Sequence, residues 1–195
     1  MVSRVTMFSL LASLTPFIGW ASEPAPDLPS THQIAIRPAT IEDFPAMWEI
    51  FHPIVSKGDT YVFAPDTSYE AAKEYYWSSK GYFNFVATLG NTVVGMYTLK
   101  ANQPGLGSHV ANASYMVHPE YQGRGIGSLM AADSITQAKA LGFKAMQFNM
   151  VVATNTNAVK AWKKMGFVIV GTLPKVFNHQ ELGYVDAYVM HRFLE

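Results

Sequence analysis

Val117-His118-Pro119-Glu120-Tyr121-Gln122-Gly123-Arg124-Gly125-Ile126-Gly127-Ser128 follows an apolar, strand-like run from His109 and opens an amphipathic helical pattern. It therefore reads as a glycine-spaced turn entering a helix N-terminus. Glycines at 123, 125 and 127 leave the backbone N–H groups uncovered by side chains, and the helix dipole adds positive potential at the same point. Such a turn suits an anion, for example the phosphates of a cofactor. Two nucleotide readings fail on the residues themselves. A P-loop needs Gly-Lys-Ser/Thr after its glycines, where this chain has Gly127-Ser128-Leu129. A dinucleotide fingerprint needs G-x-G-x-x-G and an acid about 20 residues on. Here the spacing is G-x-G-x-G, and Gln147 stands where the acid is needed. A glycine-rich loop without a ligand is the bland alternative, and the strand–turn–helix context weighs against it.

Outward from this turn, strands alternate with helices. Gln33 to Pro38 reads as a first strand ended by proline. Thr40 to Ser56 carries Ile41, Phe44, Met47, Trp48, Phe51 and Val55 at helical spacing, with Thr40 as N-cap. Pro45 and Pro53 predict a break or kink in it. Ser68 to Lys80 is a second helix, and Asp59 to Asp66 between the two is loop-like. Phe83–Leu89 and Thr92–Leu99 form a hairpin around Gly90-Asn91. A strand from His109 to Val117 feeds the glycine turn. The next helix places Ile126, Leu129, Met130 and Leu141 on one side, interrupted by Asp133 and Gln137, and stops at Gly142. Phe143–Val152 is a buried-type strand, Asn155–Met165 a short helix, and Phe167–Leu173 and Tyr184–Phe193 close the sheet. The fold class is α/β: a mixed, mostly antiparallel sheet of six to seven strands flanked by helices.

The pattern Val117-x-Pro119-x-x-Gln122-x-x-Gly125-x-Gly127 resembles the acetyl-CoA signature of the GNAT superfamily of N-acetyltransferases. Asn155-x-x-Ala158-x-x-x-Trp162-x-Lys164-x-Gly166-Phe167 resembles that family's second motif and follows in the right order. The resemblance covers roughly residues 33 to 194. It implies a sheet splayed at its central strands, with the pantetheine arm of acetyl-CoA in the gap. By that resemblance, backbone groups near Met116, Val117 and His118 hydrogen-bond the arm. Gln122, Gly123, Arg124, Gly125, Gly127 and Ser128 take the pyrophosphate. Asn155 contacts the arm, although an asparagine before a helix is equally a normal N-cap, and both roles can hold.

Acetyl transfer from a thioester needs a neutral amine, a polarised carbonyl and a stabilised leaving thiolate. Many family members place a tyrosine general acid where this chain has Trp162, whose indole offers no proton in the useful range. Trp162 then shapes the cofactor wall or simply fills the core. Alternation puts Val110, Asn112, Ser114 and Met116 on one strand face with no carboxylate among them. That leaves Asp186 and Tyr184 as weak catalytic candidates, beside Glu181, Tyr188, His109 and His118. Asn112 and Asn149 are amides inside apolar strands, which cost free energy unless hydrogen-bonded. Ser108-His109-x-x-Asn112-Ala113, Phe148-Asn149-x-Val151-x-x-Thr154-Asn155 and Val185-Asp186-Ala187 resemble a narrower group, the fungal acetyltransferases of proline analogues such as azetidine-2-carboxylate. In that group the two asparagines hold a small amino-acid acceptor.

Composition bounds the partners. The 195 residues carry 14 basic and 14 acidic side chains, so no basic stripe offers itself to nucleic acid. With no cysteine, thiolate catalysis and Cys-based metal sites are excluded, and no metal is expected. Residues 1–30 read as a signal-like or wrongly assigned N-terminal segment with a Pro-rich linker, and 31–195 as the acetyltransferase domain. The apolar run from Val5 to Ile18 is too short and too polar for a stable membrane span. Its signal-like flanks point to export, whereas the cofactor points to the cytoplasm. The expected function is transfer of an acetyl group from acetyl-CoA to the amine of a small molecule, such as an amino acid or proline-like analogue. A protein or peptide N-acetyltransferase and a non-catalytic acyl-CoA-binding module are the alternatives, and a homodimer is compatible with each.

Overall fold

Seven strands form one sheet: β1 (Ile34–Pro38), β2 (Phe83–Leu89), β3 (Thr92–Ala101), β4 (Val110–Val117), β5 (Ala145–Val152), β6 (Val168–His179) and β7 (Gly183–Phe193). Their order is β1-β2-β3-β4-β5-β7-β6. Every neighbouring pair is antiparallel except β4 and β5. This computed structural model describes residues 34–78 and 81–194. The N-terminal segment read over 1–30, and Gln33 at the head of the first strand, lie outside the described residues.

Helices α1 (Phe44–Val55) and α2 (Tyr69–Trp77) cover one face, and α3 (Ile126–Ala140) and α4 (Thr156–Lys164) belong to the other. The period-2 alternation of β4 divides the core accordingly. Ala111, Ala113, Tyr115 and Val117 pack in the cluster of α3 and α4, and Met116 in the cluster of α1 and α2. Rings do much of the packing on the first face: Phe44 meets Tyr69 at 4.8 Å and Trp77 at 5.5 Å between centroids. T-shaped pairs of this kind add about 0.5–1.5 kcal/mol each beyond the area they bury.

Three expectations change in detail. The buried residues of α3 are Ile126, Met130, Ala131, Ser134 and Ala138, at three- and four-residue spacing, whereas Leu129 and Leu141 are 38% and 42% exposed. Ser134 is tolerated at 0% exposure because its Oγ bonds the Tyr115 hydroxyl at 2.7 Å and the Ala131 carbonyl at 2.8 Å. Pro53 does not break α1, which runs on to Val55. The carbonyl left without its helical partner belongs to Glu49, an exposed residue, so the loss falls where water replaces it. The final hairpin is longer than the alternation implied. After a bulge between Leu173 and Phe177, pairing resumes to His179↔Gly183.

Thr40 caps a 3-10 turn (Ile41–Asp43) that precedes α1. Asp43 accepts two hydrogen bonds from Arg37, both at 2.7 Å, and one from the Thr40 amide at 2.8 Å. The Arg37 hydrogen bonds hold its carboxyl below the usual aspartate range. The ionised form is the one stabilised, so this contribution is present above the ordinary Asp pKa of about 3.9 and is lost as pH falls through the lower folded value. Asp43→Asn should lower unfolding stability at pH 7 by about 1 kcal/mol, because solvent around Arg37 weakens the pair. Urea melts repeated at progressively lower pH should show the gap to wild type closing.

Candidate active site

β4 and β5 pair only at Val110↔Ala145 and Ala111↔Met146, and then they diverge. β5 keeps to β7 but bulges between Phe148 and Val151. A wedge-shaped gap results, closed near Ala111 and open toward Val117. On the β3 side, the His118 amide donates to the Val94 carbonyl at 2.9 Å, and the Val110 carbonyl accepts from Asn102 at 2.8 Å. Antiparallel alternation therefore turns the even-numbered backbone groups of β4 to β3 and those of 113, 115 and 117 into the gap. The Tyr115 carbonyl there accepts the Tyr61 hydroxyl, and the Val117 carbonyl accepts Gln122 Nε2 at 3.4 Å. Of Met116, Val117 and His118, Val117 is the residue whose N–H faces the gap. The imidazole of His118 is used locally, accepting from the Glu120 amide at 3.3 Å and packing on Tyr121.

At the open end, Gly123 and Gly125 adopt φ values of 76° and 78°, a left-handed conformation that favours glycine. Gly125 is the N-cap of α3 and its carbonyl accepts from Leu129 at 3.1 Å. The amides of Ile126, Gly127 and Ser128 precede that first intrahelical bond, so they have no helical partner and sit at the positive end of the dipole. Gln122, Gly125, Gly127 and Ser128 line a cavity of about 480 Å³. Arg124 does not line it: the guanidinium donates to the Glu120 carbonyl at 3.0 Å and covers the Tyr121 ring at 4.9 Å. Gly123 also lies outside the lining and contributes the turn. Unpartnered amides at a helix N-terminus fit the phosphates of a nucleotide-bearing thioester.

The opposite wall comes from α4. Asn155 Oδ1 accepts from the Ala158 amide at 3.1 Å, capping the helix, while the residue also lines the cavity and its Nδ2 is left for a ligand. Trp162 is at once cavity wall and core, 4.6 Å from the Phe148 ring and 5.0 Å from that of Tyr115. Across from α4, the segment after α1 adds Lys57, Asp59, Thr60 and Tyr61 to the lining. Asp59 is the one carboxylate among the described lining residues. Burial pushes the Tyr61 phenol well above its ordinary value, aided by the charge of Asp59. Tyr61 is therefore a standing proton donor to the Tyr115 carbonyl. Neither Asp59 nor Tyr61 was singled out from the sequence, where this segment reads only as a loop.

Asn112 and Asn149 do converge. Both Nδ2 groups donate to Asn102 Oδ1, at 3.0 and 2.7 Å, and Gln147 Nε2 donates to Asn149 Oδ1 at 2.9 Å. Each side-chain amide carries a second N–H beyond the bond it makes. The cluster lies beside the closed end of the gap, on the sheet face opposite α3 and α4. Asp186 and Tyr184 are placed elsewhere. Asp186 accepts from the Lys175 amide at 2.8 Å, securing the β6 bulge where Lys175 has φ 52°, and Tyr184 is 71% exposed. Neither lines the cavity. Among the described residues no group of three or more His, Asp or Glu is placed to hold a metal, and no helix is long and apolar enough to cross a membrane.

The splayed strands, the amide-lined turn and the cavity between them are those of an acyl-CoA-dependent transferase, and the chain belongs to the acetyltransferase (GNAT) family, whose model matches residues 44–167. It is 41% identical to a GCN5-related N-acetyltransferase from Kribbella flavida, with a TM-score of 0.79 and coverage of 84% of this chain and 99% of that one. It is 31% identical to the L-amino acid N-acetyltransferase AaaT of Escherichia coli, over 82% of this chain and 98% of that protein. The N-acetyltransferase aca1 of Schizosaccharomyces pombe is 34% identical over 50% of this chain and 47% of its own length, so the chain matches about half of that relative.

Proposed function

We propose that this protein moves the acetyl group of acetyl-CoA to the amine of a small amino acid or proline-like analogue. The observation that carries the reading is the wedge between β4 and β5. It has an anion nest at its open end and the Asn102–Asn112–Asn149 amides beside its closed end. About five residues of strand separate Asn112 from Val117, or ~17 Å at 3.4 Å per residue, so phosphates and acceptor would be held at opposite ends of one arm.

Acetyl-CoA, when bound, supplies the activated thioester. Ile126, Gly127 and Ser128 would hold its pyrophosphate through backbone amides, and the Val117 N–H and Asn155 Nδ2 would steady its arm. The spare N–H groups of Asn112 and Asn149 would orient the acceptor. Its neutral amine would attack directly: the C–N bond forms, the C–S bond breaks with its electron pair leaving on the CoA thiolate, and the amine proton passes through water to the Asp59 carboxylate. With no cysteine in the chain, a thioester-linked enzyme intermediate has no nucleophile.

The test is thiol release from acetyl-CoA with amino acids, polyamines, aminoglycosides and peptides as acceptors. Release with amino acids supports the reading. Release with peptides alone replaces it with a peptide N-acetyltransferase, and acetyl-CoA binding without release in any arm makes the protein a binding module. Asn149→Ala should raise the KM for the acceptor roughly tenfold, the worth of a hydrogen bond to a charged group, with acetyl-CoA affinity and thermal stability near wild type. Asn149 is exposed, so a purely structural role predicts the opposite split between stability and KM.

A further inference from the structure

We propose that Lys100 is the anion-reading residue of the acceptor site, and that it selects amines bearing a carboxylate. The inference rests on the amino-acid reading above and names the group that enforces it.

Lys100 lies near the C-terminal end of β3, half-buried, and its backbone is the cross-strand partner of Asn112. Directly opposed residues share a sheet face, as do residues two apart along a strand, so Lys100, Asn102 and Asn112 lie on one face. The Lys100 side chain is fixed there by α2 and the loop before β2. Nζ donates to the Tyr82 hydroxyl at 2.7 Å and the Tyr75 hydroxyl at 3.4 Å, and stands 4.4 Å from the centre of the Tyr82 ring.

Among the described residues no carboxylate lies within ion-pair distance of this ammonium, and the ion pair they contain is Arg37–Asp43. An ammonium offers three donors, of which two reach tyrosine oxygens. Burial acts against the charge, but the Tyr82 and Tyr75 hydroxyls outweigh it and raise the proton affinity of the amine above that of an ordinary lysine. The neighbouring amides of Asn112 and Asn149 carry spare N–H donors of the same polarity. A fixed cation and spare amide donors on one sheet face, with no carboxylate among the described residues within ion-pair distance of the cation, form a receptor for a carboxylate. A purely cationic acceptor such as a polyamine finds only repulsion there.

The experiment compares each amino acid with its own carboxamide, azetidine-2-carboxylic acid and leucine being the first pairs. For the wild-type protein, kcat/KM should favour the acid by roughly tenfold or more, the worth of a hydrogen bond to a charged group. In Lys100→Met, which keeps the apolar stem against the tyrosine rings, the acid-to-amide ratio should fall roughly tenfold, through KM rather than kcat. Lys100→Arg should recover part of it. A Met variant that folds and keeps the wild-type ratio overturns the assignment. So does a wild-type protein that acetylates acids and amides equally, an outcome that needs no variant and leaves amine acetylation standing. A wild-type protein that acetylates neither series overturns the amino-acid reading itself.

Discussion

Gly127→Glu should lower acetyl-CoA affinity by about 100-fold or more while leaving the fold intact. The two effects separate because of where Gly127 stands. Its φ is not in the left-handed region, and a Cβ built there meets only Val117 Cγ2, at 3.7 Å, an ordinary contact. As the second residue of α3 it is also a position where a carboxylate is favourable toward the helix dipole. The substitution is therefore benign or mildly stabilising for the helix. For binding it is the reverse, since the new carboxylate sits among the amides of Ile126, Gly127 and Ser128, competes for them and repels phosphate. Each charge-assisted hydrogen bond lost is worth about 1.5–3 kcal/mol, and two of them exceed the 2.8 kcal/mol or so that a hundredfold requires. Gly125→Glu should also abolish binding but is less informative, because Gly125 has φ 78° and a side chain there adds backbone strain of about 1–2 kcal/mol. Calorimetric titration with acetyl-CoA, paired with a thermal melt, is the measurement. Wild-type affinity in a folded Gly127→Glu protein would remove the phosphate nest from the site.

What the sequence made legible was local. The glycines of the turn could be read because positive φ and exposed amides are requirements of a few residues, and the cap Asn155 because one side chain meets one nearby amide. The splay followed from the family resemblance, since nothing in the hydropathy of β4 or β5 says that two pairs form and the rest do not. The grouping of Asn112 with Asn149 came from the family resemblance. Their meeting at Asn102 was not legible, because Asn102 lies just past the end of β3 and needs the whole sheet to bring it there. Asp59 and Tyr61 were illegible for the same reason. Tyr61 bonds a carbonyl 54 positions away, and the segment is pinned by the Gln180 amide donating to the Gly58 carbonyl at 2.9 Å, beside the β6–β7 turn. Asp186 shows the converse case. A lone carboxylate in an apolar strand suggests chemistry, yet this one holds the amide of a residue in a strained bulge.

Asp59→Asn should lower kcat roughly 10²-fold, a typical worth of a positioned proton acceptor, with little change in acetyl-CoA affinity. The ionisable side chains that line the cavity are Lys57, Asp59, Tyr61 and Tyr115. Lys57 is a cation. Burial pushes both phenols far above their ordinary value, and each hydroxyl is already engaged, Tyr61 with the Tyr115 carbonyl and Tyr115 with Ser134. Trp162 has no proton to exchange in the useful range. Asp59 alone can accept a proton, and its Oδ1 bond from the Thr60 hydroxyl, at 2.9 Å, leaves the other oxygen free to take one through water. Loss of a general base has a signature that loss of packing lacks. The residual rate of Asp59→Asn should climb at high pH, where more of the amine is already neutral. Asp59→Glu should restore part of kcat. A variant with a reduced rate and an unchanged pH profile would assign Asp59 to the shape of the loop and leave the amine to lose its proton to solvent.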